Sequence, residues 1–274
     1  MGNEQTFQRG ILRVIWSHRI RGSDMNEIIK SNGYFPNFRN KADGLTLLAS
    51  LPEQSIKTAF FDPQYRGVLD KLSYGNGGVK RGQARCSLSQ MDEPTIIRFI
   101  REIDRVLLPR GHLFLWVDKF YLCQGVQQWL QHTSLNLVDM VVWNKGKIGM
   151  GYRTRRKSEY LIVCQKSPVR AKGIWTVHNI PDVWDEKTPK THPHSKPLNL
   201  QKALIEATTQ EGDWVLDPAS GGYSVLTACQ ELNRNFIGCD IEFGEEPIHN
   251  EDNRERTRLS VVFFWDFAIY VTSF

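Results

Sequence analysis

An acid, a proline, an amide and an aromatic ring stand in a row at Asp62-Pro63-Gln64-Tyr65. They follow Lys57-Thr58-Ala59-Phe60-Phe61, a short apolar run that reads as a buried parallel strand. Pro63 cannot continue a ladder, and it biases Asp62 towards an extended conformation. A carboxylate, backbone carbonyls and a phenol ring are therefore expected just past the carboxyl end of a strand, where open α/β sheets bind their ligands. The set suits a flat heterocycle carrying an exocyclic amine. Tyr65 would stack on its face while Asp62 and a nearby carbonyl, that of Pro63, accept from its NH2 group. Four residues alone favour an ordinary Asp-Pro turn with a surface tyrosine, so the rest of the chain has to decide.

A second constellation lies far downstream. Trp214-Val215-Leu216-Asp217 reads as a strand and Pro218-Ala219-Ser220-Gly221-Gly222 as a turn. Val225, Leu226, Cys229 and Leu232 mark a helix, and Asn235 to Asp240 a second strand ending in an acid. Glycines let the backbone approach a ligand, and the second acid can hold the two hydroxyls of a ribose. The Gly-x-Gly-x-x-Gly run of a dinucleotide site is missing here. Asp217 instead precedes the turn, where it suits a cation such as an α-amino group better than a pyrophosphate. An aminoacyl nucleoside would satisfy both ends; a plain structural βαβ unit is the ordinary alternative.

The third cluster is basic: Lys145, Lys147, Arg153, Arg155, Arg156 and Lys157, broken by glycines between the end of one expected strand and the start of the next. A solvated face is the usual meaning of such a run. Its place on the ligand side of a sheet makes phosphate contact the better reading. Trp143, Tyr152 and Trp175 could stack on bases, although core packing is the more ordinary role for each. His192 and His194 have no acid or cysteine to complete a metal site, so no metal is expected.

The elements that must position these groups alternate between strand and helix. Asp43 precedes Leu45, Leu47, Leu48 and Leu51, which read as a short helix closed by Pro52. Ile96, Ile100, Ile103 and Leu107 share one helical face, ended by Pro109-Arg110-Gly111. Strands are expected over His112–Val117, Leu137–Trp143 and Glu159–Val163, and helices around Val126–Leu130 and from Leu200 to Ala207. The pattern is that of a parallel-dominated α/β sheet covered on both faces. Residues 66–91, rich in Gly, Lys and Arg, read as a mobile loop over the site. Residues 1–39 form an extension; within it residues 1 to about 24, with Arg9, Arg13, Arg19 and Arg21, are either a helix or a loose basic arm, with Met25 as an alternative start.

With 274 residues, 41% of them hydrophobic, the chain can bury a sizeable core. The formal charge of +5 permits a nucleic-acid partner without demanding one. Five scattered cysteines without a Cys-x-x-Cys pair suggest neither a disulfide framework nor zinc, and fit a reducing cytoplasm. The N-terminal region has no continuous apolar segment of the secretory kind. The apolar stretch Leu259 to Phe274 is short for a membrane span and contains Asp266.

Taken together, these segments resemble the permuted, beta-class amino-methyltransferases of DNA, in which the catalytic motif precedes the cofactor motif. Asp62-Pro63-Gln64-Tyr65 is similar to the Asp-Pro-Pro-Tyr motif, preceded by Asp43 and Leu51-Pro52. Arg155, Arg156, Glu159 and Tyr160 resemble the Arg-rich strand beside the base pocket. Asp182-Val183-Trp184, His192-Pro193 and Lys196-Pro197-Leu198 resemble the approach to the cofactor helix. Asp217-Pro218 with Gly221 resembles the Asp-Pro-Phe-x-Gly-x-Gly loop, and Arg234, Phe236-Ile237-Gly238 and Asp240 the ribose-binding strand. The resemblance spans residues 40–242, taken as the catalytic domain, and leaves 243–274 as a tail.

The fold it implies is Rossmann-like and circularly permuted: doubly wound, with a mostly parallel seven-stranded sheet containing one antiparallel strand. The implied cofactor is S-adenosylmethionine, held by Asp43, Lys196, Pro197, Asp217, Ala219, Gly221 and Asp240. From the residues alone, Lys196 reads as a helix-start residue rather than a catalytic one. The implied partner is double-stranded DNA in a bacterial cytoplasm. The implied reaction is methylation of the N6 amine of a flipped adenine, with cytosine N4 as the alternative. An aspartate rather than a serine at the head of the motif favours adenine. Methylation of RNA or of protein glutamine, and a catalytically impaired nucleic-acid-binding module, are the other readings. Methylation at carbon 5 of cytosine is disfavoured, because no cysteine follows a proline. The chain departs from the family pattern at Gln64, Ala219 and Tyr223, where Pro, Phe and the second loop glycine are usual. The short segment 166–192 leaves little room for a recognition domain. A short or relaxed recognition sequence follows, suited to a stand-alone or phage-borne modifier.

Overall fold

The computed structural model describes residues 22–64, 91–149, 154–188 and 195–246. The centre of the architecture is β2 (Ile56–Phe61), whose residues are apolar on both faces because both faces are covered. Phe61 stacks on Phe99 at 5.0 Å in one core, while Phe60 packs on Phe114 at 4.9 Å in the other.

The first core takes in helices α1 (Gly22–Ser31), α2 (Gly44–Ser50) and α3 (Glu93–Val106), with short α4 (Lys119–Gln124) and α5 (Gln127–Leu130) alongside. The second core lies under α6 (Leu198–Thr208) and α7 (Ser224–Glu231). This is a doubly wound sheet. Residues 22–39 of the extension contribute a helix, α1, whose Met25 and Ile29 are buried in the first core; the helix or basic arm read over residues 1 to about 24 lies, up to residue 21, outside the described residues.

The other strands are β1 (Asn40–Lys41), β3 (Leu107–Val117), β4 (Leu135–Asn144), β5 (Ser158–Lys166), β6 (Val183–Asp185), β7 (Trp214–Asp217) and β8 (Asn235–Asp240). They are ordered β1-β8-β7-β2-β3-β5-β4-β6. All run parallel except β5, which is antiparallel to both β3 and β4. Among the described residues the sheet has eight strands rather than the seven the resemblance implied; β1 and β6, two and three residues long, are the two too short to leave a periodic signal in the sequence.

Pro109-Arg110-Gly111 does not form the break expected after the helix. The helix ends earlier, at Val106, and the tripeptide lies inside β3. The ladder with β2 absorbs it through a register shift, Ile56 facing Leu107 and Thr58 facing His112, while Arg110 adopts φ 67°. Gly111 has no room for a side chain, since an added Cβ would lie 2.8 Å from the carbonyl of Leu108. No helix among the described residues is long and apolar enough to cross a membrane.

Candidate active site

The carboxyl ends of β2, β7 and β8 open on one cavity of about 460 Å³. Its lining includes Asp43, Asp62, Gln64, Lys196, Gln201, Asp217, Ala219, Gly221 and Asp240. Most of the two distant constellations of the sequence therefore meet, because β7 lies directly beside β2 in the sheet. Tyr65, His192 and His194 lie outside the described residues, as do residues 66–90 of the basic, glycine-rich loop. The ends of that loop are joined: the Gln64 carbonyl accepts from Met91 N at 2.8 Å. Pro63 is buried, as expected of a residue that stops the strand rather than facing solvent.

The half of the cavity around Asp43, Gly221 and Asp240 is built largely from backbone. Asp43 caps α2, accepting from Thr46 N at 2.9 Å, and Gly44 behind it sits so close to Pro218 O that a Cβ would lie 2.2 Å away. Asp240 accepts from Gly221 N at 3.0 Å and from Glu242 and Phe243 N at 2.8 Å each. It thereby pins the Gly-rich turn to the end of β8. Gly221 has φ +48°, the left-handed conformation that glycine adopts without penalty. Pro197 forms the N-terminal boundary of α6 without a side-chain cap. Instead Glu186, a residue with no signal in the sequence, accepts from Asn199 and Leu200 N at 3.0 and 3.1 Å.

Tyr223, the departure from the loop glycine, also adopts the left-handed region at φ 57°. That conformation costs a non-glycine residue about 1–2 kcal/mol. Its ring does not line the cavity but packs in the second core, and its hydroxyl donates to Asn40 O at 2.8 Å. The cavity thus keeps the backbone course a glycine would give it.

Asp217 is 6% exposed, and among the described residues its carboxylate accepts one hydrogen bond, from Ala219 N at 3.3 Å. Burial raises its pKa well above the ordinary value; the Ala219 bond opposes this, while the charges of Asp62 and Asp240 add to it. On α6, Gln201 is 2% exposed, lines the same cavity, and its buried Oε1 has no hydrogen-bond partner among the described residues. A buried carboxylate short of a cation and a buried carbonyl oxygen short of a donor fit a ligand with an ammonium group at that end.

The half around Asp62 is ionic. Lys196 Nζ lies 2.8 Å from Asp62 Oδ2 and 2.9 Å from Glu159 Oε2, and 4.6 Å from the centre of the Trp116 ring. Glu159 Oε1 is in turn 3.0 Å from Lys145 Nζ. Burial alone would raise the Glu159 carboxyl, but Lys196 and Lys145 together hold it down at about 2. Carboxylates on Asp62 and Glu159 likewise hold the Lys196 ammonium above its ordinary value, against burial.

The basic run is divided. Lys145 is committed to Glu159, and Arg156 sits 3.8 Å from Asp118 and over the Phe120 ring. Lys147, Arg155 and Lys157 are exposed, and Arg155 donates from Nε to Gly149 O at 2.9 Å. Arg153 and Tyr152 lie outside the described residues. Trp143 is buried in the second core and Trp175 packs against it. No group of three or more His, Cys, Asp or Glu side chains among the described residues could hold a metal ion.

A family model described as DNA methylase, of the N6/N4 methyltransferase type, matches residues 56–250. The Type II methyltransferase M.HhaII of Haemophilus parahaemolyticus is 62% identical over 214 residues, 77% of this chain and 94% of that protein. The Type II methyltransferase M2.DpnII of Streptococcus pneumoniae is 25% identical over 232 residues, 73% of this chain and 83% of that protein. Among solved structures, the cytosine-N4-specific PvuII DNA methyltransferase aligns with a TM-score of 0.59 at 16% identity, over 76% of this chain and 84% of its own. M1.HpyAVI in complex with S-adenosylmethionine aligns with a TM-score of 0.54 at 18% identity, over 75% and 93%. Both likenesses are of fold.

Proposed function

The chain belongs to the N6/N4 DNA methylase family, and from that premise we propose that its cavity transfers a methyl group from S-adenosylmethionine to the N6 amine of an adenine flipped out of duplex DNA. The observation that carries this reading is the convergence of Asp62 with Asp217 and Asp240 on one cavity at the ends of three adjacent strands.

The cofactor supplies an electrophilic methyl group on a sulfonium. Asp217 and Gln201 would hold its amino-acid end, and Asp43 and Asp240 offer acceptors for its nucleoside. The target amine is a poor nucleophile, because its lone pair is delocalised into the ring. Asp62 accepts one of its hydrogens, and the Pro63 carbonyl is placed in sequence to accept the other. As the nitrogen becomes tetrahedral and partly cationic, these fixed acceptors stabilise the new charge. Tyr65 supplies a stacking face that offsets part of the few kcal/mol needed to unstack the base. Lys147, Arg155 and Lys157 are the exposed cations available to phosphates.

Cytosine N4 presents the same pair of hydrogens to the same acceptors and is the alternative substrate. The described part of 166–192 contains only the three-residue strand β6 and one isolated bridge, which supports a short or relaxed recognition sequence rather than a separate recognition domain. Plasmid DNA methylated in vitro and sequenced with modified-base detection tests both points. N6-methyladenine at short or variable sites is expected. N4-methylcytosine would overturn the substrate, and a single defined site of four or more base pairs would overturn the specificity. Absence of any product despite cofactor binding would mark the chain as a binding module.

A further inference from the structure

The sequence makes Asp62 prominent and says little of what holds it. Four elements do so. Asp62 comes from the end of β2, Trp116 from β3, Glu159 from β5, and Lys196 from the segment entering α6. The ammonium sits among all three partners with its side chain only 15% exposed. Two of those supports, Glu159 and the Trp116 ring, are independent of Asp62. A cation over an indole face is attracted by the ring quadrupole, more strongly when desolvated. Glu159 is itself tied by its second oxygen to Lys145. The Asp62 carboxylate, by contrast, is held through Oδ2 alone; among the described residues nothing is hydrogen-bonded to Oδ1.

We propose that Lys196 is a positioning residue for methyl transfer: it fixes the Asp62 carboxylate through Oδ2 with Oδ1 presented to the incoming amine, and Glu159 and Trp116 keep it there. The inference rests on the reading of Asp62 as the amine acceptor. Its logic is geometric. A carboxylate at the end of a strand can rotate about two side-chain bonds, and the cavity also holds Asp217, whose charge repels it. One buried cation on the far oxygen removes that freedom before the base arrives. Because Lys196 keeps two other partners, the amine can engage Asp62 without releasing an unpaired charge into the protein. The role needs no contact between Lys196 and the cofactor and no proton transfer by it. Glu159 acts one step further out, as the anchor of the anchor.

The test uses the full chain as Lys196→Met, Lys196→Arg, Glu159→Gln and Asp62→Ala. S-adenosylhomocysteine affinity is read by calorimetry, and single-turnover rate and KM for DNA by methyl transfer. Misplacing a reacting group by about 1 Å costs on the order of a hundredfold. Lys196→Met should therefore lose about that factor in single-turnover rate, with cofactor affinity and KM for DNA within about threefold. Lys196→Arg should recover most of the rate, and Glu159→Gln should lose an intermediate amount. A purely structural lysine would weaken cofactor affinity, raise KM and lower the rate together and would not be rescued by arginine; that pattern overturns the proposal. So does a normal rate in Lys196→Met or, should that variant fail to fold, in Glu159→Gln. Asp62→Ala separates the two layers. Normal turnover there refutes Asp62 itself, whereas an inactive Asp62→Ala beside a fully active Lys196→Met refutes only the role given to Lys196.

Discussion

Replacing Asp217 by Asn removes a buried charge and little else, and it should do two opposite things. In the folded chain the Asp217 carboxyl is pushed well above its ordinary value, by burial first and then by Asp62 and Asp240, with the Ala219 hydrogen bond opposing. In the unfolded chain it ionises near 3.9. Between those two values the folded state binds more protons than the unfolded one, so stability falls as pH rises through the window. The penalty is absent below about pH 4 and larger at pH 8 than at pH 5. Asparagine keeps the acceptor for Ala219 N and carries no such penalty. An unsatisfied buried polar group costs about 1–3 kcal/mol, more when charged. At roughly 2–4 °C per kcal/mol for a chain of this size, Asp217→Asn should raise the melting temperature without cofactor by about 2–12 °C at pH 8. It should also weaken S-adenosylmethionine binding by roughly ten- to hundredfold, the worth of a charge-assisted hydrogen bond of about 1.5–3 kcal/mol. Thermal melts at pH 5 and pH 8, with calorimetric titration of the cofactor at pH 8, read both effects. A melting temperature that falls, or rises equally at both pH values, together with unchanged affinity, would refute the reasoning.

Three further outcomes follow from the geometry. Gly238→Ala should destabilise the fold by about 1–3 kcal/mol and weaken cofactor binding, because its Cβ would lie 2.4 Å from Asp217 O and 2.7 Å from Ser220 Oγ; a wild-type melt with wild-type affinity would show that the loop yields freely. Tyr223→Phe should cost about 1 kcal/mol of stability through the lost bond to Asn40 O, with transfer rate unchanged, as measured by denaturant unfolding beside a turnover assay. Alanine at Lys147, Arg155 and Lys157 together should lower the slope of log K against log salt by about 0.9 per lost phosphate contact, while alanine at Arg156 alone should leave it near its original value; the reverse ranking in binding titrations would reassign the DNA face.

Much of this was legible before any coordinates. Short continuous apolar runs such as Phe60-Phe61 and Trp214-Val215-Leu216 declare buried strands by composition, and the acids that end them declare a ligand face. Strand neighbours were not legible. Nothing in the local pattern says that β7 lies beside β2, yet that adjacency makes one cavity out of two motifs. Side-chain commitments were equally hidden. Lys145 and Arg156 look like Lys147 and Lys157 in sequence, but Glu159 and Asp118 have claimed them. Gln201 sits at a position whose helical neighbours Leu200 and Leu204 are core residues, so periodicity absorbs it into the apolar face. Its unpartnered oxygen is what marks it out. Pro109-Arg110-Gly111 misled because a bulge and a helix stop use the same residue types.

The edge strand β1 has one strand partner, β8, with Asn40 facing Cys239 and Lys41 facing Asp240. Asn40 also donates to Gly238 O, and Asn37 exchanges hydrogen bonds with Phe236. Every one of these contacts reaches across nearly the whole described chain. During synthesis at roughly 5–20 residues per second, the Asn40 segment would wait some 10–40 s for the strand that receives it. The acid that closes the Gly-rich turn, Asp240, arrives with that same strand. Completion of the N-terminal edge and completion of the cofactor site are thus a single late event in the life of the chain. A nascent polypeptide stopped short of β8 would display the Asp62 motif without the acid that pins the Gly-rich turn.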